Sequence, residues 1–204
     1  MFSATRALAR PIGVAVRAMI LATLILGVCY TLLLTGIGQL VLGWQANGSP
    51  VRGSDGAVVG SALLGQSFLD ADGAPLPRYF QPRPSAAGDG YDGAASSGSN
   101  LGPENPELIE AIGQRRAQVA EFNGVSLDAV PPDAVTASSS GLDPHISPAY
   151  ALLQVDRVAS ARGVEAAVVR DLVAAHTRAP FLGYLGEPHV NVLELNLALD
   201  RLEG

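Results

Sequence analysis

The sequence predicts an α+β protein with one N-terminal transmembrane helix followed by a single mixed α/β extracytoplasmic domain. Three observations carry this. From Ala18 to Trp44 the chain is apolar and free of charge, long enough to cross a bilayer with some tilt. The C-terminal half holds segments with helix start and stop signals and apolar residues at helical spacing. Between them lie short apolar runs broken by glycine and proline, the texture of short strands and loops. A chain of 204 residues that is 48% hydrophobic accommodates one membrane segment and one domain with a modest core.

Charge orients the span. Residues 1–51 carry Arg6, Arg10 and Arg17 and no acid, whereas the remaining residues carry 10 arginines against 19 acids, a net of −9. The positive-inside bias places residues 1–17 in the cytoplasm as a short N terminus, 18–44 as the transmembrane helix, and 45–204 outside as the domain. A signal peptide is the competing reading, but its apolar region would be shorter and no Ala-x-Ala-like site follows Trp44. Trp44 suits an interfacial anchor. Thr23, Gly27, Thr31, Thr35 and Gln39 recur every four residues. Such a ridge of small and hydroxylated side chains lets another helix approach closely, although glycine and threonine are also common in membrane helices generally.

In the domain, Val58-Val59, Ala62-Leu63-Leu64 and Ser67-Phe68-Leu69 read as short strands or strand ends, and Tyr79-Phe80 starts an extended piece that Pro82 and Pro84 terminate. Residues 85–103 form a long loop rich in Gly, Ser, Ala and Asp. Gly88-Asp89-Gly90-Tyr91-Asp92-Gly93 inside it has dinucleotide-fingerprint spacing, but no strand precedes it and no helix follows, so a solvated loop is the reading. Its aspartates also lack the EF-hand order. Pro106 to Phe122 is a helix with Leu108, Ile112, Val119 and Phe122 on one face, Arg115 and Arg116 on a solvated one, and Gly124 after its end. After Pro131-Pro132, Ser147 and Pro148 are the N-cap and first residue of a second helix lined by Ala151, Val155 and Val158 and closed by Gly163. A third runs from about Glu165 to Thr177 with Val168, Leu172 and Ala175 on one side. The tail from Val190 alternates, with Leu193, Leu195 and Leu197 on one face. It reads as a buried strand passing into a short helix near Leu197 to Leu202, and a helix throughout is the alternative.

The stretch Ser138 to Ser147 packs three serines, a glycine, an Asp-Pro step and His145 together. Ser140, Asp143 and His145 can be drawn as a hydrolase triad, but triads draw members from separate elements and no nucleophile elbow is present. The structural reading is a turn in which the Asp143 carboxylate bonds nearby backbone N–H groups. His145, His176 and His189 lack metal-ligand spacing, and the one cysteine, Cys29, lies in the apolar run, so no metal site is expected. His176 near a helix C terminus suits the helix dipole, and His189 suits a surface or interface. The chain has no lysine, which excludes a P-loop and Schiff-base chemistry. The acidic domain excludes nucleic acid as a partner.

Ser140-Gly141-Leu142-Asp143-Pro144-His145-Ile146-Ser147 resembles a signature of the C subunit of the Kdp potassium-transporting ATPase. Leu64 to Phe68, Tyr79 to Ser85, Ser97 to Pro103, Gln154 with Arg157-Val158-Ala159, and Val190 through Asp200 look like that family's other blocks, in order. The resemblance implies a non-catalytic accessory subunit of an inner-membrane, ATP-driven potassium uptake complex. Its partners would be the lipid bilayer, a channel-like potassium-binding subunit and a P-type ATPase subunit. The family has been proposed to act as a catalytic chaperone raising ATP affinity, through a glutamine that here is Gln66. With Gln66 outside the cytoplasm, no bound cofactor is expected, and ATP enters only through the partner ATPase subunit. Expected subunit contacts are Thr23, Gly27, Thr31, Thr35 and Gln39 in the span and Ser140, Asp143 and His145 in the domain. The alternative function is an anchored extracytoplasmic hydrolase using Ser140 and His145.

Overall fold

The computed structural model describes residues 2–202. Met1 of the expected cytoplasmic flank, and Glu203 and Gly204 of the expected domain, lie outside the described residues. The chain divides into two compact units, Met1–Ser49 and Pro50–Gly204.

The first unit is helical: α1 (Phe2–Ala22), a π-helical stretch (Thr23–Cys29), α2 (Tyr30–Val41) and, past a break at Leu42, the short α3 (Gly43–Ala46). The helix over Arg10–Val41 holds an 18-residue stretch of mean hydropathy 2.3 and is long and apolar enough to cross a membrane. The π-helical stretch matters for the ridge. In an α-helix a step of four overshoots one turn, so a period-four row drifts around the axis; the wider π turn makes the same step fall short and opposes the drift.

The second unit is α+β. A two-stranded antiparallel hairpin, β1 (Pro50–Arg52) with β2 (Val58–Ser61), opens it. Then α4 (Pro106–Asn123) starts at Asn105, whose side chain accepts from the Glu107 N–H, and ends at left-handed Gly124. β3 (His145–Ile146) leads into α5 (Pro148–Arg162), capped by Ser147 and closed by left-handed Gly163 as expected. α6 (Ala166–His176), β4 (Thr177–Arg178), β5 (His189–Asn191) and α7 (Val192–Asp200) complete the chain. β5 is the middle of a three-stranded antiparallel sheet in the order β3-β5-β4. Phe80, Ile146, Val155, Val158, Val190 and Leu195 lie at the centre of one core shared by this sheet, α5, α6 and α7.

Four expectations need correction. The tail is a strand only over His189–Asn191, and helix begins at Val192, because the Asn191 side chain accepts from the Glu194 N–H and caps it. Its buried apolar positions are Val192, Leu193, Leu195 and Leu199, and Val192, Leu195 and Leu199 among them follow the helical period. In α6 the inward residues are Val169 and Val173, while Val168 is exposed. Neither Ala62-Leu63-Leu64 nor Ser67-Phe68-Leu69 forms a strand: the first is a turn, and Leu69 makes a single bridge to Pro75. There the Asp70 carboxylate accepts from the Asp72 and Ala74 N–H groups and folds the chain back at once. Arg115 is not simply solvated, since it is half-buried and donates to the Val135 carbonyl.

The extended piece at Tyr79-Phe80-Gln81 has no sheet partner among the described residues. Buried side-chain amides take the place of a neighbouring strand. Asn196 Oδ1 accepts from the Phe80 N–H at 2.9 Å and its Nδ2 donates to the Phe80 carbonyl at 3.0 Å. Gln154 repeats this for Gln81, at 2.7 and 3.1 Å. Arg157 adds bonds to the carbonyls of Pro77 and Tyr79 and stacks 4.4 Å over the Phe122 ring. Burial draws its guanidinium down to about 10, so it remains charged at neutral pH. Fully buried backbone polar groups demand such partners, and they bind the strap to α5 and α7.

Candidate functional site

The Ser138–Ser147 stretch is locked at both ends and through its middle. Its chain reversal uses Gly141 at φ +67°, where a Cβ would lie 2.6 Å from the Ser97 carbonyl oxygen and 2.8 Å from the Ala87 nitrogen. Only glycine fits both the left-handed conformation and the close approach. A Cβ at Gly65 would collide with the Tyr91 ring and come within 2.7 Å of the Asp143 carbonyl oxygen. The Gly65 N–H donates to the Leu142 carbonyl at 2.8 Å. Ser85 Oγ donates to the Gly141 carbonyl at 2.6 Å and accepts from the N–H groups of Ala87 and Tyr91. From the glycine-rich loop, the Ser97 N–H and Ser96 hydroxyl both donate to the Ser140 carbonyl at 3.0 Å. The loop with dinucleotide-like spacing thus serves as a clamp on the second loop.

At the centre sits Asp143. Its Oδ2 pairs with Arg83 Nη1 at 3.1 Å, and its Oδ1 accepts from the His145 N–H at 3.0 Å and faces His145 Nδ1 at 3.2 Å. Burial alone would raise this carboxyl. The His145 ring and amide, together with the charges of His145 and Arg83, outweigh burial and hold it below the ordinary carboxylate range. Tyr91 is pushed up, first by burial and then by the nearby Asp143 charge, so its hydroxyl stays protonated and donates to the Arg83 carbonyl at 2.7 Å. On the other side the His145 ring meets the His189 ring edge-on, 4.4 Å between centroids. Asp133 accepts from the Ser147 N–H and hydroxyl, and Ser147 in turn accepts from the Tyr150 N–H. Burial pushes the Tyr150 phenol up to about 12.

These contacts decide what the residues can do chemically. Ser140 is exposed, and its Oγ accepts from the Leu142 N–H at 3.1 Å; among the described residues no hydrogen bond joins it to His145, whose ring faces Asp143 instead. A nucleophile needs its base within hydrogen-bond reach, so the three residues do not form a triad here. The turn reading of Asp143 is the geometry found. Among the described residues no group of three His, Cys, Asp or Glu side chains is arranged to hold a metal ion. Gln66 is half-buried, with its Oε1 and a Leu193 methyl each 2.8 Å from where a Gly60 Cβ would be. In the helical unit, Gln39 Oε1 accepts from Asn47 Nδ2 at 3.0 Å, so the polar end of the ridge is tied to the turn after α3. His176 lies against the Leu172 carbonyl at the end of α6. Arg83, Ser85 and Asp133 are site residues that sequence reasoning did not single out, and His189, expected at a surface or interface, packs on the His145 ring. For Arg83 and Ser85 the signal was present in the Tyr79 to Ser85 block.

Comparison with known proteins completes the picture. The model of the family described as KdpC, K+-transporting ATPase, c chain, matches residues 12–201. The chain belongs to the KdpC family. It is 53% identical over 182 residues to the potassium-transporting ATPase KdpC subunit of Beijerinckia indica, covering 89% of each chain. With the KdpC subunit of Mycobacterium tuberculosis it shares 54% identity over 181 residues, 88% of this chain and 92% of that one. The KdpC subunit of Caulobacter vibrioides is 53% identical over 181 residues, 88% and 87% of the two chains. The resemblance drawn from the ordered blocks is borne out over nearly the whole chain. Within this KdpC chain, those blocks are the segments that the two clamped loops and the amide-held strap bring together.

Proposed function

We propose that this KdpC chain is a non-catalytic accessory subunit of a potassium-transporting ATPase, in which the Ser138–Ser147 stretch is a fixed joint and not a reaction centre. The observation that carries it is the commitment of the Gly141 carbonyl and the Asp143 carboxylate to internal partners, within a chain whose family match covers residues 12–201. The apolar helix anchors the chain in the inner membrane, and residues 45–204 lie on the outer face, a reading supported by three arginines and no acid in residues 1–51. The row Thr23, Gly27, Thr31 and Thr35, ending at Gln39, packs against helices of a channel-like potassium-binding subunit. A P-type ATPase subunit of the same complex binds and hydrolyses ATP. Any chaperone effect on ATP affinity then travels through subunit contacts, since Gln66 packs within the domain and the chain has no lysine to grip phosphate. The domain's net charge of −9 raises the local concentration of cations near the pore mouth.

Extraction of the chain in mild detergent tests this. It should emerge with large membrane partners and resist serine-directed probes. A chain that purifies alone and is labelled at Ser140 would support the hydrolase instead.

A further inference from the structure

The connection between β4 and β5 displays an uncharged, strongly apolar tip. Residues 179–188 read Ala-Pro-Phe-Leu-Gly-Tyr-Leu-Gly-Glu-Pro. Phe181, Leu182 and Tyr184 are 71%, 68% and 74% exposed, and Leu185 is about half exposed. The tip is well ordered by its own bonds: Phe181 and Leu185 exchange both backbone hydrogen bonds, at 3.0 and 2.9 Å, and the Gly183 N–H donates to the Pro180 carbonyl at 2.9 Å.

Its backbone is the telling part. Leu182 has φ +54° and Gly183 φ +82°, two successive left-handed residues, which is the geometry that Asn-Gly favours in tight hairpins. Leucine in the first position is costly, because its Cβ crowds the following carbonyl. Among the described residues nothing repays that cost, since the side chain is 68% exposed.

We propose that the Phe181–Leu185 tip is a rigid docking knob that inserts into an apolar, basic-rimmed pocket on the outer face of a membrane-embedded partner subunit. This rests on the reading of the chain as an accessory subunit. Shape and charge select a protein pocket over the bilayer. A lipid surface rewards any apolar tip and needs no strained backbone, whereas a shaped pocket rewards a preorganised one. A domain of net charge −9 is repelled by anionic lipid and attracted by basic protein surface. Glu187, at the foot of the tip, is exposed and has no ion-pair partner among the described residues; it meets the basic rim. The foot rests on the fixed joint, because His189 of β5 carries the ring that packs on His145. The joint thereby aims the knob.

The ATPase complex is purified in mild detergent through a tag on another subunit, and retention of this chain is measured. Leu182→Asn suits the left-handed position and removes the apolar side chain. It should leave the chain's Tm unchanged or higher while retention falls at least about tenfold, as for loss of an interface anchor. Tyr184→Ser should lower retention likewise. Retention of both variants at the wild-type level overturns the knob. Failure of the wild-type chain to co-purify overturns the subunit reading itself. A fluorescent probe on Tyr184→Cys in a Cys29→Ala chain, assembled into the complex in vesicles carrying doxyl-labelled lipid, separates the occupants. An unquenched probe supports the protein pocket, and strong quenching assigns the tip to the bilayer and overturns the proposal.

Discussion

Gln154→Leu removes half of the amide ladder that holds the Tyr79–Gln81 strap, with little change in side-chain size. Gln154 is fully buried, and its amide satisfies both backbone groups of Gln81 while also accepting from Arg157 Nη2 at 2.7 Å. The substitution leaves the Gln81 N–H and C=O without partners. Each buried orphan costs about 1–3 kcal/mol, and the added apolar surface of leucine returns about 1–2 kcal/mol. The expected net loss is therefore about 3 kcal/mol. For a unit of this size a loss of 1 kcal/mol lowers Tm by roughly 2–4 °C, so scanning calorimetry of the detergent-solubilised chain should show a fall of about 6–12 °C. Asn196→Leu should behave alike through Phe80. Because both side chains hold adjacent peptide units, the double variant should lose less than the sum. A fall under about 3 °C for Gln154→Leu would refute the claim that side-chain amides substitute for a missing strand.

Gly141→Ala meets both a left-handed backbone and the Ser97 carbonyl oxygen 2.6 Å from the new Cβ, so it should cost about 2–4 kcal/mol, readable in the same calorimetry. Asp143 has a depressed pKa in the folded chain. Its stabilising contribution is full above the unfolded carboxylate value of about 3.9 and is lost as pH falls through the lower folded value. Asp143→Asn should therefore lower Tm at pH 7 and flatten the acid limb below about pH 4; an unchanged acid limb would count against the role of the His145 and Arg83 contacts. His145→Ala releases Asp143 and the His189 ring together, and should weaken recovery of the chain with its complex; full recovery with normal transport would contradict the joint. Neutralising several exposed acids of the domain should weaken apparent potassium affinity at low ionic strength and little at high salt, and no change at low salt would end the enrichment idea.

The parts of the fold that were readable from sequence are those decided within a few residues. Pro106, Ser147-Pro148, Gly124 and Gly163 mark helix ends because capping is a matter of one residue and its neighbours. The Asp143 turn was readable for the same reason, its carboxylate reaching an N–H two residues on. What escaped was long-range. Nothing near Arg83 or His189 announces that each will stand beside the Asp143–His145 pair, and strands of two or three residues are too short to carry a period. The tail misled because Leu193, Leu195 and Leu197 alternate while Val192, Leu195 and Leu199 repeat at helical spacing, and only the Asn191 cap settles which pattern rules. In α6 several small apolar residues surround the helix, so the buried stripe was misassigned by one position.

The central claim, an accessory subunit that does no chemistry itself yet is required by the pump, is tested most directly by potassium-stimulated ATP hydrolysis in membranes lacking this chain. The account predicts that the activity is lost, and that it returns when the wild-type or a Ser140→Ala chain is supplied. Undiminished potassium-stimulated hydrolysis without the chain, or rescue that fails specifically with Ser140→Ala, would contradict it.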